Sequence, residues 1–152
     1  MAATLRATSQ VQRVVMSPNR DAGREGVIAA LRGAKIKPID HLPREQFVGL
    51  LKRAAALVGN SSAGLIEASA VRPGGVPVVN VGRRQSGREK PANVIDCEPT
   101  ARGVGEALAR ALRTRRRRLK HPYGDGTAGS RIAQVLGRLD LGQVAVRRRN
   151  AY

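Results

Sequence analysis

The stretch VGNSSAGLIEASAV, Val58 to Val71, decides the fold. Its apolar start reads as a strand that stops at Gly59. Asn60, two serines and two small residues follow, and then a helical pattern carries a single acid, Glu67. A strand that turns tightly into a helix is half of a βαβ unit, so the sheet around it should be parallel.

The rest of the chain extends that pattern. VQRVVMS (11–17) is the first expected strand, and PNRDAG follows as a turn. Val27, Ile28, Leu31 and Ala34 form a helical stripe. KIKPID (35–40) is a second strand candidate, weakened by Pro38. Phe47, Leu50, Leu51 and Ala54 mark a helix that Pro43 can open. AALVG (55–59) is a third strand, and residues 62–71 form a short helix. VPVVNVG (76–82) is a fourth strand, apolar almost throughout, as burial on both faces requires. ANVIDC (92–97) is a fifth. Thr100 can cap the helix of Val104, Ala107, Leu108, Ala111 and Leu112. The last helix aligns Ile132, Val135, Leu136 and Leu139. Alternating strands and helices give an α/β class, a doubly wound parallel sheet of Rossmann-like type. Residues 1–10 are expected to be disordered, 11–141 to form one lobe, and 142–152 a basic tail.

Composition narrows the function. The chain of 152 residues is 41% hydrophobic, 26% charged and 2% aromatic. Its core must therefore be aliphatic. No apolar run reaches the length of a membrane span. The first residues lack a secretory apolar core, although arginine and hydroxyl residues without acids also suit a transit peptide. The one cysteine, Cys97, excludes an internal disulfide and fits a reducing, cytoplasmic setting. The formal charge of +17 invites a nucleic-acid reading. Against it, nearly all of that charge is arginine, its densest runs, 115–118 and 147–149, lie near a helix end and in a tail, and no aromatics interleave to stack bases.

In doubly wound sheets, ligands bind beyond the carboxyl ends of the strands. Gly59 to Ser62 lies at such an end. The first amides of the next helix have no helical partners, Ser61 and Ser62 add hydroxyls, and Ala63 and Gly64 leave room. Glu67 falls on the same face one turn on, placed to accept from two adjacent sugar hydroxyls. The stretch reads as half of a nucleotide site, with capping by serine and a solvated acid as the ordinary alternative. GRRQSGRE (82–89) brings Arg83, Arg84 and Arg88 to the same edge, where arginine suits phosphate. Asn19 follows the first strand and His41 the second. No Ser-His-Asp arrangement, acid pair or metal-ligand spacing is present, so no catalytic residue, metal or cofactor is expected.

PNRDAG, HLPREQF, LVGNSSAGLIEA, GVPVVNVGRRQSGRE, NVIDC and YGDGTAGSRI together resemble UDP-N-acetylglucosamine 2-epimerases of the hydrolysing branch, from about Val14 to Leu141. That resemblance implies the C-terminal lobe of a two-lobed, glycosyltransferase-B-type fold, used in amino-sugar and sialic-acid-type synthesis. It implies that Asn19 contacts the nucleotide sugar, that backbone near Leu42 meets the uracil and that Ser61 and Ser62 hold the diphosphate. Glu67 would then bind the ribose, and Arg84 would reach the phosphates. In the family, UDP is eliminated to a glycal-like intermediate and water adds at the anomeric carbon. The acid–base carboxylates lie in the other lobe, and an upstream histidine has no counterpart in residues 1–20. The chain alone is expected not to turn over substrate. UDP or UDP-N-acetylglucosamine is the expected partner, with a second copy or a separate first-lobe chain as possible protein partners; no membrane is expected. A glycosyltransferase donor lobe and a basic nucleic-acid module are the competing readings.

Overall fold

The computed structural model describes residues 1–114, 118–140 and 142. Of the basic tail expected over 142–152 only Gly142 is described, and most of the arginine run at 115–118 also lies outside the described residues. Contacts divide the chain into two units, Met1–Pro122 and Tyr123–Tyr152.

The first unit is built on three parallel strands, β1 (Leu57–Gly59), β2 (Val78–Val81) and β3 (Val94–Cys97), in the order β1-β2-β3. Leu57 pairs with Val78 and Val78 with Val94; Val58 pairs with Val79 and Val79 with Ile95. The pleat sends these two rows to opposite faces. One row packs with Leu51, Ala68 and Val76, a cluster fed by α3 (Arg44–Arg53) and α4 (Glu67–Ala70). The other packs against Ala107, Leu108 and Ala111 of α5 (Ala101–Arg113). A parallel sheet must be covered on both faces, and the runs of valine serve that burial. Val76, Val79 and Val104 are completely inaccessible. Thr100 caps α5 as its position suggested, its hydroxyl accepting from the Gly103 amide at 3.0 Å.

Four expectations change. Residues 1–10 are not without structure. Ala2–Ala7 forms helix α1, which packs on α5 with Leu5 buried, and Arg13 donates to the Leu5 carbonyl at 3.0 Å. Six residues are too few for a periodic signal, and the tertiary contact supplies what propensity cannot. The first two expected strands do not enter the ladder. They meet in one parallel bridge, Met16 with Ile39, fixed by Ser17 N–H to Ile39 O (2.9 Å) and Ile39 N–H to Val15 O (2.8 Å). The expected helix 62–71 is interrupted: a 3-10 turn at Ser62–Gly64 precedes the four-residue α4. The single lobe expected over 11–141 is divided after Pro122. Helix α2 (Arg24–Gly33) lies where its stripe was read, with Leu31 buried.

In the second unit, α6 spans Ala128–Arg138. Asp125 organises its start, its carboxylate accepting from the Thr127 amide at 3.0 Å and the Thr127 hydroxyl at 2.6 Å, with Arg131 at 2.7 Å.

Candidate nucleotide site

Three connections meet at the carboxyl end of the sheet. The first follows β1: the Asn60 carbonyl accepts from Gln85 Nε2 at 2.7 Å and from Arg84 Nη1 at 3.1 Å. The second follows β2 and supplies those two donors. The third is the turn after Met16, whose Asp21 carboxylate lies 2.6 Å from Arg84 Nη2. A shallow cleft of about 540 Å³, lined by residues 20–25, opens beside Asp21.

Ser61 caps the 3-10 turn, its hydroxyl accepting from the Ala63 amide at 3.3 Å. Ser62 is half-buried, and its carbonyl accepts from the Leu65 and Ile66 amides at 2.9 and 3.0 Å. The amides of Ser61 and Ser62 donate to no acceptor among the described residues. Because the helical segment is broken, its dipole is short, and these amides and hydroxyls are what an anion would meet. Gly64 lets the segment lie on β2: a Cβ there would stand 2.9 Å from Val78 Cγ1. Glu67 opens α4 half-buried, and its carboxylate has neither a hydrogen bond nor an ion-pair partner among the described residues.

Asn19 is exposed and Leu42 half-buried. Each comes three residues after one member of the parallel Met16–Ile39 bridge, so both leave that pair at the same end. The Arg84–Asp21 pair ties the Asn19 turn to the Ser61 segment. Among the described residues no hydrogen bond joins Leu42 to the serines.

The sequence reading passed over three features. Asp21 engages the arginine meant for phosphate. Gln85 is 2% exposed, and its Oε1 has no partner. Asn80, 1% exposed, donates to Asp96 at 2.7 Å while its Oδ1 is unpartnered, and Lys90 holds the other oxygen of Asp96 at 2.7 Å. Asn80 could have been found, since it is the polar residue inside an otherwise apolar strand. Burial pushes the Asp96 carboxyl up, but the Asn80 hydrogen bond and Lys90 outweigh it and hold the group below its ordinary range. Burial, then Asp96 and Glu98, push the Cys97 thiol up, which disfavours its thiolate form. Among the described residues no three His, Cys, Asp or Glu side chains are grouped to hold a metal, and no helix is long and apolar enough to cross a membrane.

The sequence matches the family model described as UDP-N-acetylglucosamine 2-epimerase over residues 1–137. It is 33% identical over 148 residues to a hydrolysing UDP-N,N'-diacetylbacillosamine 2-epimerase of Legionella pneumophila, covering 95% of this chain and 38% of that protein. It is 30% identical over 138 residues to a UDP-N-acetylglucosamine 2-epimerase of Neisseria meningitidis, covering 87% of this chain and 36% of that one. A crystal structure of the Methanocaldococcus jannaschii UDP-GlcNAc 2-epimerase, in complex with UDP-GlcNAc and UDP, superposes with a TM-score of 0.66 at 19% identity. That match covers 89% of this chain and 38% of the other, and it shows a common fold. The chain thus spans under two fifths of the relatives it matches.

Proposed function

The chain belongs to the UDP-N-acetylglucosamine 2-epimerase family, and from that premise we propose that its first unit is a uridine-diphosphate-binding lobe of the hydrolysing type. The guest is UDP or the UDP moiety of a 2-acetamido sugar. Ser61 and Ser62 receive the diphosphate, Glu67 the two ribose hydroxyls, Arg84 the phosphates, and Asn19 and the backbone near Leu42 the remaining ends of the ligand. The observation that carries this reading is Glu67: a half-buried carboxylate without a partner among the described residues, five residues past the second of two amides that also have none. A carboxylate that no protein group engages keeps its oxygens open to donors. A ribose has two, at adjacent carbons.

Binding, rather than turnover, is the activity proposed for these residues. Turnover would eliminate UDP and add water to the glycal-like product, which needs acid–base groups. No such carboxylate pair occurs among the described residues at this site. The rest of the reaction belongs to the longer architecture of the relatives, in the same polypeptide or in a partner chain. The setting proposed is the cytoplasm, in amino-sugar synthesis of the sialic-acid type.

Calorimetric titration with UDP tests the reading. The purified chain should bind UDP saturably. Glu67→Ala should weaken binding about tenfold or more, as loss of hydrogen bonds to a charged acceptor would. Dideoxy-UDP, lacking both ribose hydroxyls, should lose as much on the wild type and little further on Glu67→Ala. No saturation by UDP, or equal affinity for both proteins, would overturn the proposal. An assay of UDP release from UDP-N-acetylglucosamine should show none with the chain alone; robust release would overturn the division of labour.

A further inference from the structure

We propose that Gln85 is a positioning residue that aims the Ser61 amide at the bound diphosphate; this deepens the nucleotide reading above and rests on it. The Asn60 carbonyl and the Ser61 N–H belong to one rigid, planar peptide unit, and no peptide bond in the described chain is cis. In a trans unit the two groups point in opposite directions. Gln85 Nε2 donates to the carbonyl at 2.7 Å from a buried site, so the carbonyl faces the protein and the N–H faces away from it. The Ser61 N–H has no acceptor among the described residues. A donor on the carbonyl also polarises the peptide and strengthens its N–H toward an anion.

Arg84 shares that carbonyl at 3.1 Å but cannot be the anchor. Its guanidinium is exposed, paired with Asp21, and directed to the phosphates in the reading above. Gln85 is different: the turn after Gly82, closed by the Ser86 amide on the Arg83 carbonyl at 2.9 Å, tucks its side chain inward. The acceptor it meets fixes its amide orientation, because only the nitrogen can donate. Its Oε1 then stays unpartnered among the described residues. A methionine would fill the same space without that orphaned oxygen, and would leave the Asn60 carbonyl to Arg84 alone.

The test is UDP titration of the 152-residue chain and of Gln85→Met, read by calorimetry and by the amide resonances of residues 58–71. The wild type should bind, and its Ser61 amide should move downfield on saturation. Gln85→Met should keep its fold, bind UDP roughly tenfold more weakly, as expected for one misaligned hydrogen bond to a charge, and show a much smaller Ser61 shift. Wild-type chain that ignores UDP overturns the nucleotide reading and this proposal with it. Wild type that binds while Gln85→Met binds equally, with the same Ser61 shift, overturns this proposal alone. If Gln85→Met does not fold, the wild type decides: a Ser61 amide that UDP leaves unmoved, while the Ser62 amide shifts, overturns the positioning role.

Discussion

Arg84 and Asp21 are joined by a 2.6 Å ion pair across 63 residues of sequence. The pair holds the arginine beside the Asn60 carbonyl, which its other nitrogen reaches at 3.1 Å. It also occupies the charge that the phosphate reading needs. Both side chains are about half exposed, so the attraction is screened and worth roughly 0–1 kcal/mol.

The pair therefore acts as a mild competitor of the phosphate. Asp21→Asn should release Arg84, remove a negative charge near the diphosphate and raise UDP affinity about two- to fivefold, the equivalent of an exposed ion pair. Titration at low salt should show the gain, and added salt should shrink it. A fall in affinity would mean instead that Asp21 orients the arginine for its ligand.

Gly64→Ala should destabilise the first unit. The new methyl would stand 2.9 Å from Val78 Cγ1 and 3.6 Å from Leu57 Cδ2. Val78 is buried and β-branched, so it cannot turn aside cheaply. Overpacking should cost about 1–3 kcal/mol, read as a lower urea midpoint, less the few tenths to one that alanine returns through the unfolded chain. Val78→Ala on top should cost less than the sum of the two changes, because it removes the clash.

The helices α2, α3, α5 and α6 were legible because each repeats its apolar positions at a clear period, and the three paired strands because each is a short, largely apolar run. Elements resting on contact were not. Helix α1 is too short to show a period, and the valines at 11–15 read as a strand although Val11 and Val14 stay exposed and make no ladder. The serines and Glu67 could be placed together because they are local in sequence. Their supports could not: Asp21 and Gln85 reach the site through partners 63 and 25 residues away. The break after Gly64 was also invisible, as was the close packing of that glycine on Val78.

Asn93 should prove a heavier structural residue than its position before β3 suggests. Its amide donates to the Val76 carbonyl at 2.6 Å and its oxygen faces the Ser69 hydroxyl at 3.1 Å, tying β2 and β3 to the helix that carries Glu67. Asn93→Ala would leave the buried Val76 carbonyl unpaired and should cost about 2–3 kcal/mol in chemical denaturation. In a variant still folded at low temperature, UDP affinity should fall as α4 loosens. Unchanged stability would show that water replaces the amide.

Acid should weaken the fold partly through Asp96. Burial raises its carboxyl, yet the Asn80 hydrogen bond and Lys90 prevail, so its folded pKa lies below its unfolded one. Such a group contributes stability that is fully present above the unfolded pKa, about 4, and is lost as pH falls through the folded value. The side chain is 52% exposed, which limits the effect to roughly the 0–1 kcal/mol of a screened pair. Asp125 is also held low, through Thr127 first, and adds its own acid sensitivity. The two separate by difference: urea unfolding from pH 7 to pH 3 should show Asp96→Asn losing less stability than wild type, with the gap opening below about pH 4. Parallel curves for the two proteins would mean that Asn80 and Lys90 give Asp96 no net preference for its charged form.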